Sequence, residues 1–301
     1  MTSHPITGNT RIYAHFADPV AHVRTPEVMN RFFRQRGIDA AVVPYQVGVE
    51  DLAQAVAAAR SWKNLAGIGV TMPHKEHIAG LLDDLTEDAV RAGASNVIRR
   101  LPDGRLLGGQ YDGPGLVAGL RAHGVRLEGA RVLLLGAGGS ARAVAMALAA
   151  AGVSHLAVRN RTTARAVALA EQVGRHYPAV ACEVRERDSV ADVDVLVNTT
   201  SVGMRAADPP PVDLAALSPA TAVSDIIMKP ARTRLLDHAR RAGCTVVPGI
   251  HMLLHQLGPT ADFLGLEPTL EPSGEPDPPD LTDPPDLTDP LAPAGDAAEV
   301  A

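Results

Sequence analysis

The segment Leu133-Leu134-Leu135-Gly136-Ala137-Gly138-Gly139-Ser140-Ala141 constrains this chain more than any other. A short apolar run reads as a strand buried on both faces, and G-x-G-x-x-A before an alanine-rich stretch reads as a tight turn opening a helix. Gly136 permits the turn, Gly138 lets the backbone approach a pyrophosphate, and Ala141 permits close contact between helix and strand. Gly139 and Ser140 start the helix, whose free N–H groups and positive dipole end suit phosphate. A purely structural turn would need none of this context, and here both flanks supply it.

The following strand runs out in Val158-Arg159-Asn160-Arg161-Thr162. An NAD site sets an Asp or Glu at that point to accept from the ribose 2′-hydroxyl. The nearest acid onward is Glu171. Arg161 and Arg165 instead supply cationic forks matched to a 2′-phosphate, with Asn160 and Thr162 as local donors. The expected cofactor is NADP.

Elsewhere the periodicity alternates between strand and helix. Arg11–Phe16, Ala40–Val47, Leu65–Thr71 and Ala94–Arg99 read as strands, and Pro26–Arg36 and Leu52–Trp62 as helices, with Thr25 as the N-cap. Gly108–Gly109 closes this half, and a helix from about Pro114 to His123 leads out. In the second half Val132–Leu135, Val193–Val197, Thr221–Ile227 and Cys244–Val247 read as strands, with helices over Ala141–Ala151 and Thr163–Gln172. The expected fold is α/β with two domains: an N-terminal α/β substrate domain (1–112) and a Rossmann-type dinucleotide domain (113–250). A last helix, about His251–Phe263 within 251–270, is expected to pack back across the cleft.

Composition narrows the function classes. Residues 271–301 hold nine acids and no Lys or Arg, and repeat DPPDLT at 277–282 and 283–288. Proline removes backbone donors and like charges repel, so this stretch reads as a disordered, solvated tail. The other 270 residues carry 28 bases against 25 acids, a mild excess that suits a phosphorylated ligand and lacks the basic stripe of a nucleic-acid binder. No apolar run of about 18 residues exists to span a membrane. Two distant cysteines, Cys182 and Cys244, and a polar N-terminus without a secretory pattern point to the reducing cytoplasm. No metal-ligand spacing is present.

Two polar constellations lie outside the nucleotide half. Gly69-Val70-Thr71-Met72-Pro73-His74-Lys75 sets a lysine just past a strand end, and Gln110-Tyr111-Asp112-Gly113 sets a carboxylate at the entrance to the linking helix. If Lys75 and Asp112 converge on one alcohol, they can hold it and move its proton as hydride departs. Spacing alone leaves open that they are ordinary surface charges.

From here the chain resembles the shikimate and quinate/shikimate dehydrogenases, over nearly all of residues 10–266. The matching segments, in order, are GVTMPHK (69–75), GASNVI (93–98), YDGPG (111–115), GAGGSARA (136–143), NRTTARA (160–166), VNTTSVGM (197–204) and PGIHMLLHQ (248–256). The resemblance implies an NADP-dependent CH–OH oxidoreductase of the shikimate pathway and aromatic amino acid biosynthesis, with Lys75 and Asp112 as catalytic dyad. It also implies Asn96 and Gln256 as ligands for ring hydroxyls, Thr71 in the pocket, and Asn198, Thr199 and the Ser201–Met204 turn beside the nicotinamide. A small cyclic polyol is the expected partner, with the protein a monomer or homodimer. Two rival readings are a non-catalytic NADP-binding regulator, which has no need of a proton relay, and a folate-linked methylene dehydrogenase, which the YDGPG and VNTTSVGM matches oppose.

The departures cluster. The family's His-Ser-x-Ser-Pro clamp for the substrate carboxylate reads His22-Val23-Arg24-Thr25-Pro26, its carboxylate tyrosine is Met228, an asparagine is Gly69, and a late glycine is His251. A buried carboxylate without donors is costly. The expected substrate therefore either lacks the carboxylate or is gripped through Arg24 or His251.

Overall fold

A computed structural model describes residues 5–273. Two six-stranded sheets carry the molecule. The first is built from β1 (Arg11–Ala17), β2 (Ala40–Gln46), β3 (Leu65–Val70), β4 (Asp84–Leu85), β5 (Val97–Arg100) and β6 (Leu106–Gly109), with α1 (Thr25–Gln35), α2 (Leu52–Ala59), α3 (Lys75–Ala79) and α4 (Glu87–Ala92) between strands. Its order is β2-β1-β3-β5-β6-β4. The β1, β2 and β3 ladders are parallel, whereas β5 runs antiparallel to both β3 and β6.

After α5 (Asp112–Ala122) comes a wholly parallel sheet of β7 (Arg131–Leu135), β8 (His155–Arg159), β9 (Ala181–Val184), β10 (Val195–Asn198), β11 (Ala222–Asp225) and β12 (Thr245–Pro248), in the order β12-β11-β10-β7-β8-β9. Helices α6 (Gly139–Ala150), α7 (Thr163–His176) and α8 (Arg234–Arg241) complete the crossovers. Strand order reverses between β7 and β10, and in doubly wound sheets ligands bind outside the carboxyl ends at that point. Leu133, Leu134, Leu196 and Val197 are wholly buried, so both faces of this switch are dry. Each such side chain contributes roughly 1.5–3 kcal/mol by leaving water.

Several local expectations are corrected. Thr25 is the first residue of α1, and Arg24 takes the cap position with no side-chain cap bond, its guanidinium paired instead with Glu27. Gly108 and Gly109 do end the first half, as the last two residues of β6, where Leu82 and Leu85 fill the space beside Gly108. The last helix is two, α9 (Ile250–Leu254) and α10 (Leu257–Leu264). Pro259 cannot donate to the carbonyl of His255, which breaks the ladder there. The broken pair returns to the first sheet: Leu253, Leu257, Ala261 and Leu264 join Tyr13, Met29 and Phe33 in one core. Ser273 N–H donates to the Arg34 carbonyl (3.0 Å), so the start of the segment read as a solvated tail is held. The DPPDLT repeat lies outside the described residues.

Candidate active site

The carboxyl ends of β1, β3, β7 and β10 open onto one cleft of about 640 Å³. From the first half and the terminal helices it is lined by Val23, Thr25, Thr71, Lys75, Asn96, Asp112 and Gln256, and from the loop after β11 by Met228. From the nucleotide half it is lined by Gly136, Gly138, Gly139, Ser140, Asn160, Arg161, Thr162, Arg165, Thr199 and Met204.

Lys75 and Asp112 meet across 37 residues of chain, with Lys75 Nζ donating to Asp112 Oδ2 at 2.5 Å. Lys75 opens α3 and Asp112 opens α5, so both side chains are carried on helix starts rather than free loops. Asp112 is 3 % exposed. A buried carboxylate must be satisfied. The other oxygen, Oδ1, accepts from Asn96 Nδ2 (3.0 Å) and Gln256 Nε2 (3.4 Å), and Asn96 Nδ2 also donates to Gln256 Oε1 (2.9 Å). Asn96 Oδ1 in turn accepts from Tyr111 N–H (2.8 Å), and Gln110 Oε1 from Asp112 N–H (2.9 Å). The break at 255–256 is what turns Gln256 toward this carboxylate.

The nucleotide loop is built to admit an anion. Gly136 has φ +112°, and a Cβ there would stand 2.5 Å from Thr199 Oγ1. A Cβ on Gly138 would meet only Glu76 Oε1, at 3.8 Å, so that backbone faces open space. No side chain caps α6, which leaves its first N–H groups available to phosphate. Arg161 is exposed and makes no ion pair among the described residues, whereas Arg165 donates to both oxygens of Glu76 (2.8 and 3.0 Å). Asn160 Nδ2 is committed to the Thr162 carbonyl. The residues present fit a phosphorylated dinucleotide.

Three expected site residues do not reach the cleft. Ala141 is buried where α6 meets its sheet. Asn198 is wholly buried: its amide donates to the Val202 carbonyl and Asp225 Oδ1, and its oxygen accepts from Thr200. It shapes the turn after β10 and touches no cleft surface. His251 stacks edge-on against His123 at 4.3 Å, with burial the main cause of its pKa falling to about 4.

Residues 16–98 match the family profile described as the shikimate dehydrogenase substrate binding domain, and residues 119–205 match the shikimate/quinate 5-dehydrogenase profile. The shikimate dehydrogenase (NADP(+)) of Acidiphilium cryptum (strain JF-5) is 41% identical over 268 residues, 88% of this chain and 95% of its own. The chain belongs to the shikimate dehydrogenase family. Among solved members, shikimate 5-dehydrogenase of Thermus thermophilus in complex with NADP(H) and shikimate superposes with TM-score 0.77 at 31% identity, covering 88% of this chain and 97% of that one. The ligand-free 5-ketofructose reductase of Gluconobacter sp. strain CHM43 gives 0.76 at 32%, covering 85% and 92%.

Against the family's clamp, Val23 and Met228 present apolar surface to the cleft and Thr25 one hydroxyl. Arg24 lines it too, but its fork is bound to Glu27 (2.8 and 3.2 Å). Among the wall residues that escaped the sequence reading, two stand out. Tyr13 and His15, on one face of β1, are buried and line the cleft beside Gly69. Their signal was a histidine two residues from a tyrosine in an otherwise apolar strand, which period-2 geometry sets on one face. Ser140 was expected at phosphate, and it also reaches Lys75 Nζ (2.9 Å).

Proposed function

We propose that this protein is an NADP(H)-dependent oxidoreductase that moves hydride reversibly between nicotinamide and a secondary alcohol on a small hydroxylated ring. The observation that carries the reading is the buried Lys75–Asp112 contact at 2.5 Å, in a cleft whose other wall is formed by Gly136–Ser140. Gly136, Gly138, Gly139 and Ser140 would hold the pyrophosphate, and Arg161 with Arg165 the 2′-phosphate. When bound, NADP supplies the hydride acceptor.

The chain's own residues do the proton work. An alcohol oxygen beside Lys75 Nζ and Asp112 accepts from the amine and donates to the carboxylate. As the carbinol C–H bond breaks, the hydroxyl proton passes to the pair; in reduction Lys75 Nζ returns a proton to the forming alkoxide. Asn96 and Gln256 orient Asp112 Oδ1 and lie within reach of a neighbouring ring hydroxyl.

The absence of an acid after β8 and the free Arg161 support NADP over NAD. Two free cysteines support residence in a reducing cytoplasm. A monomer or homodimer is the assembly we propose. The test is NADPH formation by the purified chain with shikimate, quinate and a panel of cyclic polyols. Turnover that disappears in Lys75→Ala supports the enzyme; no turnover with any of them favours an NADP-binding regulator.

A further inference from the structure

The wall formed by β1 and β3 holds a side chain with both of its buried polar atoms unsatisfied among the described residues. His15 lies opposite Gly69 in the parallel register, with Tyr13 two residues before it on the same face. A Cβ at Gly69 would stand 2.4 Å from His15 Nδ1 and 2.6 Å from Tyr13 Oη, so the two rings occupy the volume that a side chain at 69 would fill. His15 is 5 % exposed and lines the cleft, yet neither ring nitrogen has a hydrogen-bond partner among the described residues. A buried polar atom left unpaired is costly and calls for an explanation, which a ligand group can supply.

The chemistry of that group follows. Burial, with the nearby Lys75 ammonium second, pushes the His15 pKa down to about 3, so the ring is neutral at working pH. A neutral imidazole offers one donor and one acceptor, which matches a hydroxyl; a carboxylate only accepts and gains no cation here. Of the remaining wall, Val23 and Met228 are apolar, Arg24 is held by Glu27, Lys229 donates to the Ala21 carbonyl (3.3 Å), and Thr25 offers a single hydroxyl.

We propose that His15, seated over Gly69 beside Tyr13, hydrogen-bonds a substrate hydroxyl and makes the cleft selective for an uncharged polyhydroxylated ring, a cyclic polyol or its keto form, over a ring carboxylate. The proposal rests on the oxidoreductase reading above. Its test is steady-state kinetics of the purified full chain with shikimate, quinate, inositols and 1,2-cyclohexanediol (NADP reduction), and with cyclic keto-sugars and inosose (NADPH oxidation). The two directions separate polyol from ketone as the source. The expected result is kcat/KM for the best neutral ring at least 10-fold above that for shikimate. In His15→Val that value falls roughly 3- to 10-fold, chiefly through KM, because hydrogen bonds between neutral groups are modest in net terms. Thermal stability and the KM for NADP hold, and His15→Asn, which keeps a donor and an acceptor, recovers part of the loss. Shikimate as the best substrate, or an unchanged neutral-to-shikimate ratio in His15→Val, overturns this proposal alone. No turnover with any compound overturns the oxidoreductase reading and this proposal with it.

Discussion

Ser140 accepts a hydrogen bond from Lys75 at 2.9 Å and itself lies 3.3 Å from Asp112 Oδ2, so the nucleotide loop touches the proton-handling pair directly. A Cβ on Gly139 would stand only 2.8 Å from Lys75 Cβ. The two halves of the molecule meet at the place where chemistry is proposed. Ser140, in the turn we propose for phosphate, is thus the residue that joins that turn to the Lys75–Asp112 pair.

Ser140→Ala removes one orienting contact and leaves the Lys75–Asp112 contact intact. We expect kcat to fall about 3- to 10-fold, the value of one hydrogen bond. Asp112→Asn should lower kcat by about 10²–10⁴, the usual range for loss of a proton-transfer group. NADPH fluorescence titration should show binding retained in Asp112→Asn and weakened a few-fold, by about one hydrogen bond, in Ser140→Ala. Loss of binding in Asp112→Asn would mean the carboxylate organises the fold of the cleft rather than the reaction.

Arg161 and Arg165 differ in their engagement, and so should their variants. Arg161→Ala should raise the KM for NADP roughly 10-fold or more, since a charge-assisted hydrogen bond is worth about 1.5–3 kcal/mol, and leave the KM for NAD unchanged. Glu76→Gln weakens the ion pair that occupies Arg165 and should lower the KM for NADP about 2- to 3-fold, the scale of a partly exposed ion pair. Equal effects on NAD and NADP would show that these arginines do not read the 2′-phosphate.

Asn198 is expected to act through structure alone. Asn198→Ala strips partners from the Val202 carbonyl, Thr200 and the buried Asp225, whose pKa desolvation already raises to about 6. Leaving such groups unpaired costs about 2–3 kcal/mol, a fall of roughly 5–10 °C in Tm. Calorimetry checks this; an unchanged Tm with weakened NADP binding would restore the cofactor role.

Acid should destabilise the protein through its buried histidines. His15 and His251 have native pKa values pushed by burial to about 3 and about 4, against 6.5 in the unfolded chain. Between those limits the unfolded state binds more protons, so stability is complete above pH 6.5 and lost as pH falls toward 4. Asp225 runs the other way, gaining native-state protons below about pH 6, and offsets part of the slope. We expect Tm to fall by roughly 5 °C from about pH 7 to about pH 5, with a smaller fall in His251→Phe. An equal fall in that variant would assign the acid sensitivity elsewhere.

Five strands of the second sheet were legible in the sequence as short, largely apolar runs bounded by loops, whereas β9, a half-exposed edge strand carrying Glu183, was not. The glycine pattern carries its own backbone requirement, since Gly136 needs its positive φ wherever the fold is built. Lys75 and Asp112 were legible as types at loop–helix junctions, and the family resemblance paired them. Local pattern could not assign Asn198, which has the position of a cofactor ligand but whose amide is consumed by Asp225 and Val202. Nor could it show that Pro259 splits the last helix and turns Gln256 inward.

What the order of residues dictates here is what depends on near neighbours: strand and helix periods, the Gly136 turn, the missing acid after β8, the loss of clamp hydroxyls at Val23 and Met228. What required the folded chain is everything that depends on convergence. Asp112 is satisfied by residues 16, 37 and 144 positions away, and His15 meets a cleft only because Gly69, on the adjoining strand, leaves it room. Hydrogen-bond satisfaction and desolvation are sums over spatial neighbours, and no window along the chain contains those neighbours.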